Sequence, residues 1–306
     1  MGRRLFTAAA LVVALLLVTV WLQQYWFSDQ SEPRAVSEII HIDKDVALMA
    51  KASPAATLKD MSGQVERRDE KGEWRPLRVG QALQVNDVIR TAANGRAVLM
   101  LGDNVVVDVA EATTLSIQQV SATLSRVTLD DGRVVSKVNG KSDFRFRVEI
   151  RSSKAVAETD SGEFGVLKRG AQPATVAAKS GSVELRGQGG RVQLRAGEMS
   201  SVSAEAGPAK PSKIPNSLFL KFAPTLPLSN KKSIELKGTT SPGASLVVAG
   251  KRTTVDGTGN FSQRVALTNG ENEILVTVED SLGRHASASP KIAVRAGPKV
   301  QGEVQW

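Results

Sequence analysis

The sequence contains no cysteine and only two histidines among its 306 residues. The absence of cysteine excludes disulfides, thiolate metal sites and cysteine nucleophiles. His41 and His285 are far apart in sequence, which leaves little material for a histidine metal site or a Ser-His-Asp triad. We therefore expect no cofactor and no metal site. An enzyme such as a glycan hydrolase would need a catalytic constellation, and none is visible in the sequence, so we expect no enzymatic activity.

Aromatic residues are also scarce, because they make up 4% of the chain and include a single tyrosine. The net charge is +9, but the lysines and arginines are spread along the chain and mostly alternate with apolar residues. No basic patch interleaved with aromatic residues is present, so nucleic acid is not an expected partner. A basic balance of this kind also suits anionic lipid or another acidic polymer.

The long apolar run of the chain lies at the N-terminus, where residues 5–22 contain no charge, glycine or proline. The aromatic residues at its end suit the lipid headgroup zone, and they are Trp21, Tyr25, Trp26 and Phe27. A helix over residues 5–27 is long enough to cross the hydrocarbon core. Arg3 and Arg4 precede it, and positive charge stays on the cytoplasmic side. The sequence predicts a single-pass anchor over residues 1–27 in the inner membrane, with the bulk of the chain in the periplasm.

Two other interpretations of this run are open. A cleaved secretory signal needs a small-residue cleavage site, whereas this run ends in bulky Trp, Gln and Tyr, which favours an uncleaved signal-anchor. Arg3-Arg4 also resembles a twin-arginine export signal, although two arginines before an apolar run serve equally as its positive flank.

From residue 62 to residue 203 the pattern changes to short β-rich runs separated by turns. The turn signals are Asn94-Gly95, Gly102-Asp103-Asn104, Asp130-Asp131-Gly132, Asn139-Gly140 and Gly187-Gln188-Gly189-Gly190. The third of them separates two β-rich runs, residues 124–129 and 133–138, and so predicts a hairpin. Turns at such short spacing predict an all-β sandwich, barrel or solenoid-like stack.

The clearest strand covers residues 144–151, where apolar and charged side chains alternate. Its apolar face holds Phe144, Phe146, Val148 and Ile150, and its charged face holds Arg145, Arg147, Glu149 and Arg151. A period of two is typical of a strand with one buried face.

The chain as a whole divides into segments of different composition. A Pro-rich linker with Pro208, Pro211 and Pro215 is expected to hold the second β unit away from the first. About seven short strands in the second unit fit an Ig-like sandwich without its cysteine pair. The predicted segments are an anchor (1–27), a juxtamembrane segment (28–61), a first β domain (62–203), the linker (204–215), a second β domain (216–297) and a tail (298–306).

The first β domain resembles the FecR-domain family in the order of its short motifs. These include Trp74-Arg75-Pro76-Leu77, Asp87-Val88-Ile89-Arg90-Thr91, Asn94-Gly95-Arg96-Ala97, Asp131-Gly132-Arg133-Val134 and Leu194-Arg195-Ala196-Gly197-Glu198. Residues 160–166 keep the family's Phe-Gly-Val but lack the Arg-Gly-Thr that often precedes it. The second domain is similar to bacterial Ig-like modules, through Pro242-Gly243-Ala244, Asp256-Gly257 before Gly259-Asn260-Phe261, and Glu279-Asp280.

The FecR resemblance implies a non-catalytic domain outside the cytoplasm. Proteins of this family are best known for passing an outer-membrane signal to a cytoplasmic sigma factor through an N-terminal cytoplasmic region. Four residues precede the apolar run here, too few for a folded interaction surface, so we expect the domain and its location without sigma-factor contact. The alternative is a structural scaffold or adhesion component of the envelope.

Three groups of polar residues are candidates for a site. Residues 256–260 carry oxygen donors at spacing similar to a calcium loop, but a β-turn accounts for them fully. Glu158 and Asp160 would share one strand face, as a solvated pair or an acid–base pair. The third group is the charged face of residues 144–151.

Arg145, Arg147 and Arg151 form the predicted binding site, because guanidinium groups along one face bind carboxylate or phosphate groups. The expected partner is an envelope protein or an acidic envelope polymer. The alternative is that Glu149 and neighbouring strands pair with these arginines and leave only a solvated sheet surface.

Overall fold

The structure is a computed structural model that describes residues 55–68, 72–140, 143–223 and 232–294. These residues form an all-β protein, which confirms the predicted class at that level. The predicted membrane anchor lies outside the described residues. Within the described ranges, no helix has the length and apolar character needed to cross a membrane.

The first β unit contains strands β1 to β16 and one turn of 3-10 helix at Arg151–Ser153. Its strands are β1 (Ala56–Ser62), β2 (Val65–Arg68), β3 (Trp74–Pro76), β4 (Ala82–Leu83), β5 (Val88–Thr91), β6 (Arg96–Leu101), β7 (Val105–Val109), β8 (Thr114–Val120), β9 (Leu124–Asn139), β10 (Arg145–Ile150), β11 (Ala155–Thr159), β12 (Ser161–Lys168), β13 (Ala174–Gly187), β14 (Gly190–Arg195), β15 (Glu198–Val202) and β16 (Ser212–Lys213). Strand β1 therefore lies within the range predicted as juxtamembrane.

These strands form two sheets that share β9 and β13. Sheet 1 has the order β4-β1-β6-β7-β9-β12-β13-β15-β16, and sheet 2 has the order β3-β2-β5-β8-β9-β10-β11-β13-β14. A single apolar core lies between them. Phe146 from sheet 2 and Phe164 from sheet 1 meet in this core with ring centroids 6.0 Å apart. Burial of one such side chain contributes about 1.5–3 kcal/mol. The alternating strands of each sheet place many apolar side chains on the inner face, and burial of these side chains holds the two sheets together.

Strand β9 corrects the predicted hairpin at Asp130-Asp131-Gly132. The chain does not reverse there: the first half of β9 pairs in sheet 2 with β8 and β10, and the second half pairs in sheet 1 with β7 and β12. Gly132 has φ +115°, and a Cβ atom at this position would lie 2.3 Å from Thr113 Oγ1. The Asp-Asp-Gly sequence therefore bends a continuous strand from one sheet into the other, since glycine tolerates this backbone conformation.

The second β unit contains strands β17 to β25, more than the seven expected. They are β17 (Leu220–Phe222), β18 (Ser233–Thr240), β19 (Ser245–Val248), β20 (Lys251–Thr253), β21 (Asn260–Ala266), β22 (Gly270–Glu273), β23 (Val276–Glu279), β24 (His285–Ala288) and β25 (Lys291–Val294). The sheet orders are β17-β18-β21, β20-β19-β23-β24 and β22-β25, and all three sheets pack around one core.

The segment predicted as a spacer is paired along its length. Strand β16 pairs with β15, and the Ala209 and Ile214 amides donate to the Ser201 and Gly197 carbonyl oxygens at 2.9 and 2.8 Å. The proline-rich composition predicted a spacer, since composition alone cannot show that a strand edge elsewhere in the chain is open for pairing. The edge of β15 is open, and it pairs with the backbone N–H and C=O groups of the non-proline residues in this segment.

The second β unit packs against the outer face of sheet 1, contrary to the expected separation. Glu279 of β23 accepts hydrogen bonds from Arg133 of β9 and from Arg169, and all three side chains are buried. Arg169 also donates to the Ala112 and Glu111 carbonyl oxygens at 2.6 and 3.1 Å. Burial lowers the pKa of the Arg169 guanidinium, and the Glu279 carboxylate opposes that shift. We call Arg133, Arg169 and Glu279 the junction cluster.

The backbones of the two units also approach closely beside this cluster. A Cβ atom on Gly165 would lie 1.9 Å from the Ser281 carbonyl oxygen, so only glycine fits there. At the rim, Arg252 lies 3.2 Å from Asp131, and the Gln172 amide donates to the Thr253 carbonyl oxygen at 3.1 Å. The contact is therefore close-packed at its centre and hydrogen-bonded at its edge.

Candidate binding surface

The predicted site residues lie on the outer face of sheet 2, where β10 pairs parallel with β9 and antiparallel with β11. Phe146, Val148 and Ile150 point into the core, which confirms the predicted alternation. Arg145 and Arg147 point outward. Arg151 follows the end of β10 and lies in the 3-10 turn, so strand alternation does not align it with the other two.

Glu158 on β11 brings Arg145 and Arg147 together. The Arg147 Nε group donates to the Glu158 carboxylate, and Arg145 Nε lies 3.8 Å from the same carboxylate. Arg186 of β13 approaches it from the other side at 3.8 Å. The strand register explains this arrangement. Glu158 is directly opposite Arg147 on β10, and Arg186 on β13 is opposite Val156, which makes Arg186 a diagonal neighbour of Glu158.

Two further carboxylates extend the network across the sheet. Arg126 of β9 lies 3.3 Å from Glu149 of β10. On the other side, Arg186 donates to Glu184 and Arg191 lies 4.0 Å from it. The hydrogen bond from Arg186 lowers the pKa of the Glu184 carboxyl, and the same bond raises the pKa of Arg186. Arg151 is separate from this row and donates to Asp130.

We call this surface the arginine face, and its members are Arg126, Arg145, Arg147, Arg151, Arg186 and Arg191. Their side chains are between 34% and 77% exposed, whereas the partner carboxylates are between 11% and 35% exposed. The carboxylates therefore lie closer to the sheet, and solvent meets mainly guanidinium groups. Such groups can donate two parallel hydrogen bonds to a carboxylate or phosphate.

Sequence reasoning missed three members of this face: Arg126, Arg186 and Arg191. Each lies on a strand with alternating pattern, but the pattern of one strand does not reveal which strand lies beside it. The parallel pairing of β9 with β10 and the bend of β13 between the sheets bring these residues together.

The other polar groups are turns or parts of these ion-pair networks. Asp256 accepts hydrogen bonds from the Thr258 and Asn260 amides at 2.9 and 2.8 Å, as the β-turn interpretation expects. The Thr258 hydroxyl and the Asn260 groups lower the pKa of Asp256 to about 2. Asp160 follows the end of β11 and accepts from the Ser161 hydroxyl, so it does not continue the face of Glu158. Across the described ranges, no group of His, Cys, Asp or Glu side chains has the arrangement of a metal site.

Comparison with known proteins gives two family matches. Residues 87–184 match the model described as FecR protein, and residues 226–296 match the model described as glucodextranase, domain B. The second match differs from the bacterial Ig-like module expected from the sequence, and that module stays a prediction. No curated protein matches the chain.

The chain is also similar to two crystal structures of a candidate anti-sigma factor from Parabacteroides distasonis. Sequence identity is 18% and the TM-score is 0.37 in both cases. The alignments cover 41% of this chain and 59% of that chain. The FecR match is more informative about the site, because residues 87–184 include Arg126, Arg145, Arg147 and Arg151.

Proposed function

We propose that the chain is a non-catalytic envelope protein that binds an acidic partner through the arginine face and takes part in envelope signalling. The observation that carries this proposal is the exposure of the guanidinium groups above their less exposed carboxylates. Surface charges of this kind contribute little to stability, so fold stability alone gives weak reason for the cluster.

The FecR match supports the signalling part of this proposal, because proteins of that family are best known for passing on an outer-membrane signal. The matched residues also include the strands that carry most of the arginine face. The helix predicted over residues 5–27 supports a location in the inner membrane with the β units in the periplasm. In this arrangement the arginine face meets the acidic polymers or proteins of the envelope. Sigma-factor contact is not part of the proposal.

A scaffold or adhesion role is the second candidate. The packing of the second β unit on sheet 1 favours it, because a close-packed contact transmits load better than a flexible spacer. The two roles share the arginine face and differ in whether its occupancy is passed to another protein. A partner that binds residues 5–27 only when the face is occupied would favour signalling.

The binding part is tested with the full-length chain in detergent solution, titrated with poly-L-glutamate at low salt. Replacing Arg145 and Arg147 with Gln should weaken binding about tenfold, because two charge-assisted contacts are lost. The matched control replaces Arg96 and Lys179, two exposed and paired cations on the outer face of sheet 1. This control should leave binding unchanged.

The difference in affinity for poly-L-glutamate between the double variant and the wild type should shrink as the salt concentration rises, because screening shortens the range of surface charges to about 3 Å at 1 M. The free energy of unfolding of the double variant should differ from that of the wild type by only about 1 kcal/mol, because both arginines are partly exposed and Arg186 still lies 3.8 Å from the Glu158 carboxylate. Equal binding by both double variants at low salt would show that the arginine face is only a solvated sheet surface.

A further inference from the structure

A recess of about 420 Å³ lies at the edge of the arginine face, where β10 ends in the 3-10 turn. Its volume falls within the range of about 300–1,000 Å³ that small-molecule sites occupy. Strands β8 to β11 and the turn supply its walls. The lining residues relevant to binding are Gln118, Thr128, Glu149, Arg151, Lys154 and Val156.

The backbone of the turn holds a lysine where glycine would fit better. Lys154 has φ +52° and ψ +21°, a left-handed conformation that is sterically unfavourable for a residue with a Cβ atom. The turn is supported by buried Ser153, whose hydroxyl lies 3.5 Å from the Ile150 carbonyl oxygen. An unfavourable backbone conformation kept at the wall of a recess points to a role for the Lys154 side chain.

The recess presents charges of both signs. Among the residues that the structure describes, Arg151 pairs with Asp130, and the ammonium group of Lys154 forms no ion pair. Glu149 accepts from Arg126 and Thr128 at 3.3 and 3.4 Å, long distances that leave acceptor capacity on its oxygens. Two cations and one carboxylate therefore face the same small volume.

This combination selects the chemistry of a ligand. A bare phosphate or a simple carboxylate would be attracted by Arg151 and Lys154 but repelled by Glu149. A sugar acid satisfies both requirements, because its carboxylate suits the cations and its ring hydroxyls can donate to Glu149. The Thr128 hydroxyl and the Gln118 amide offer further partners for hydroxyl groups, and Val156 offers an apolar surface for the ring.

We propose that this recess binds one sugar-acid unit of an acidic polysaccharide, and that the arginine face binds the neighbouring units. The proposal rests on the proposed function, because it names the class of acidic partner for the same face. It assigns Glu149 a role in recognition, whereas a plain anion-binding surface would be weakened by a carboxylate at this position.

The test compares three probes on the full-length chain in detergent: oligogalacturonate, poly-L-glutamate and polyphosphate. Lys154→Gln should weaken oligogalacturonate binding about tenfold, whereas Lys154→Arg should retain it. Lys179→Gln is the control, because Lys179 is an exposed lysine on the outer face of sheet 1. Lys154→Gly separates charge from backbone strain, since it should stabilise the turn and still weaken binding.

Glu149→Gln gives the decisive comparison. The variant keeps a hydrogen-bond acceptor for Arg126, removes the negative charge and should preserve the fold. We expect it to weaken oligogalacturonate binding and to strengthen polyphosphate binding. A rise in affinity for both probes would overturn the sugar-acid assignment and identify a plain anion surface.

The probes also separate this inference from the proposed function. If poly-L-glutamate binds through Arg145 and Arg147 but oligogalacturonate does not bind, the recess assignment is wrong and the proposed function stands. If none of the three acidic polymers binds at low salt, the proposed function is wrong as well.

Discussion

The two outer faces of the first β unit both carry arginine and glutamate side chains, but the arginines are buried on one face and exposed on the other. On sheet 1, Glu279 from the second β unit lies between Arg133 and Arg169, and all three are buried. On sheet 2, Glu158 lies between Arg147 and Arg186, and both guanidiniums remain exposed to solvent. In both places one carboxylate is shared by several arginines, so the pairing geometry is not what separates them.

The difference lies in the arginines, because the Glu279 and Glu158 side chains are each 11% exposed. Arg133 and Arg169 are covered, and a covered guanidinium loses its hydration, so the loss of its partner leaves an uncompensated charge in a dry environment. Arg147 and Arg186 keep contact with water, and an exposed guanidinium exchanges its partner with water at little cost. The junction cluster therefore specifies how the two β units dock, whereas the arginine face remains free to exchange a carboxylate of its own for one on a partner.

Removal of the buried carboxylate Glu279 should cause the largest reduction in the free energy of unfolding. Glu279→Ala should destabilise the protein by about 3–5 kcal/mol, because it leaves Arg133 and Arg169 buried without their shared partner. Chemical denaturation of the full-length chain measures this loss. The matched control is Glu271→Ala, which removes an exposed carboxylate paired with Lys291 and should cost no more than about 1 kcal/mol. Equal losses for the two variants would contradict the contrast between covered and exposed ions.

The backbone contact of the junction should give the next largest effect. Gly165→Val places side-chain atoms where the Ser281 carbonyl oxygen lies, and such overpacking costs about 1–3 kcal/mol. Because the clash forces the two β units apart, calorimetry should resolve two unfolding transitions where the wild type shows one. Gly190→Val is the control, since no atom lies within 4 Å of its added Cβ. A single unchanged transition for Gly165→Val would mean that the units do not depend on this contact.

The smallest effect concerns the arginine face itself. Arg186→Gln should raise the pKa of Glu184 towards its ordinary value, because the Arg186 hydrogen bond is the main cause of the lowered pKa. A lowered pKa in the folded state adds stability above the unfolded pKa of about 4.3, and this contribution is lost as the pH falls through the folded pKa. Carboxyl carbon NMR titration measures the shift. An unchanged Glu184 titration in the variant would contradict the ion pair.

Much of the first β unit follows from local sequence. The alternation along residues 144–151 predicted the buried face of β10, because a strand turns successive side chains to opposite sides. The same reasoning placed Arg145 and Arg147 on one surface. It could not supply Glu158 as their common partner, since that depends on the register between β10 and β11.

The two predictions that the structure corrects, the hairpin at residues 130–132 and the separation of the β units, share a physical cause. The Asp130-Asp131-Gly132 signal is compatible with a reversal or with a bend, and only the neighbouring strands decide between them. The junction joins residues 146 positions apart, Arg133 and Glu279, so no local pattern connects them. The burial of a charged side chain also cannot be predicted from the sequence of its strand, because arginine and glutamate on a strand usually indicate a solvated face.

Arginine-specific labelling with phenylglyoxal, read by mass spectrometry, compares the exposed and the covered guanidinium groups in one experiment. We expect rapid labelling of Arg145, Arg147 and Arg191 in the free full-length chain and slow labelling of Arg133 and Arg169. Poly-L-glutamate at low salt should protect the arginine face and leave Arg96, on the other sheet, as reactive as before. Equal protection of Arg96 would show that poly-L-glutamate does not select the arginine face, and rapid labelling of Arg133 and Arg169 would show that the junction is open to solvent.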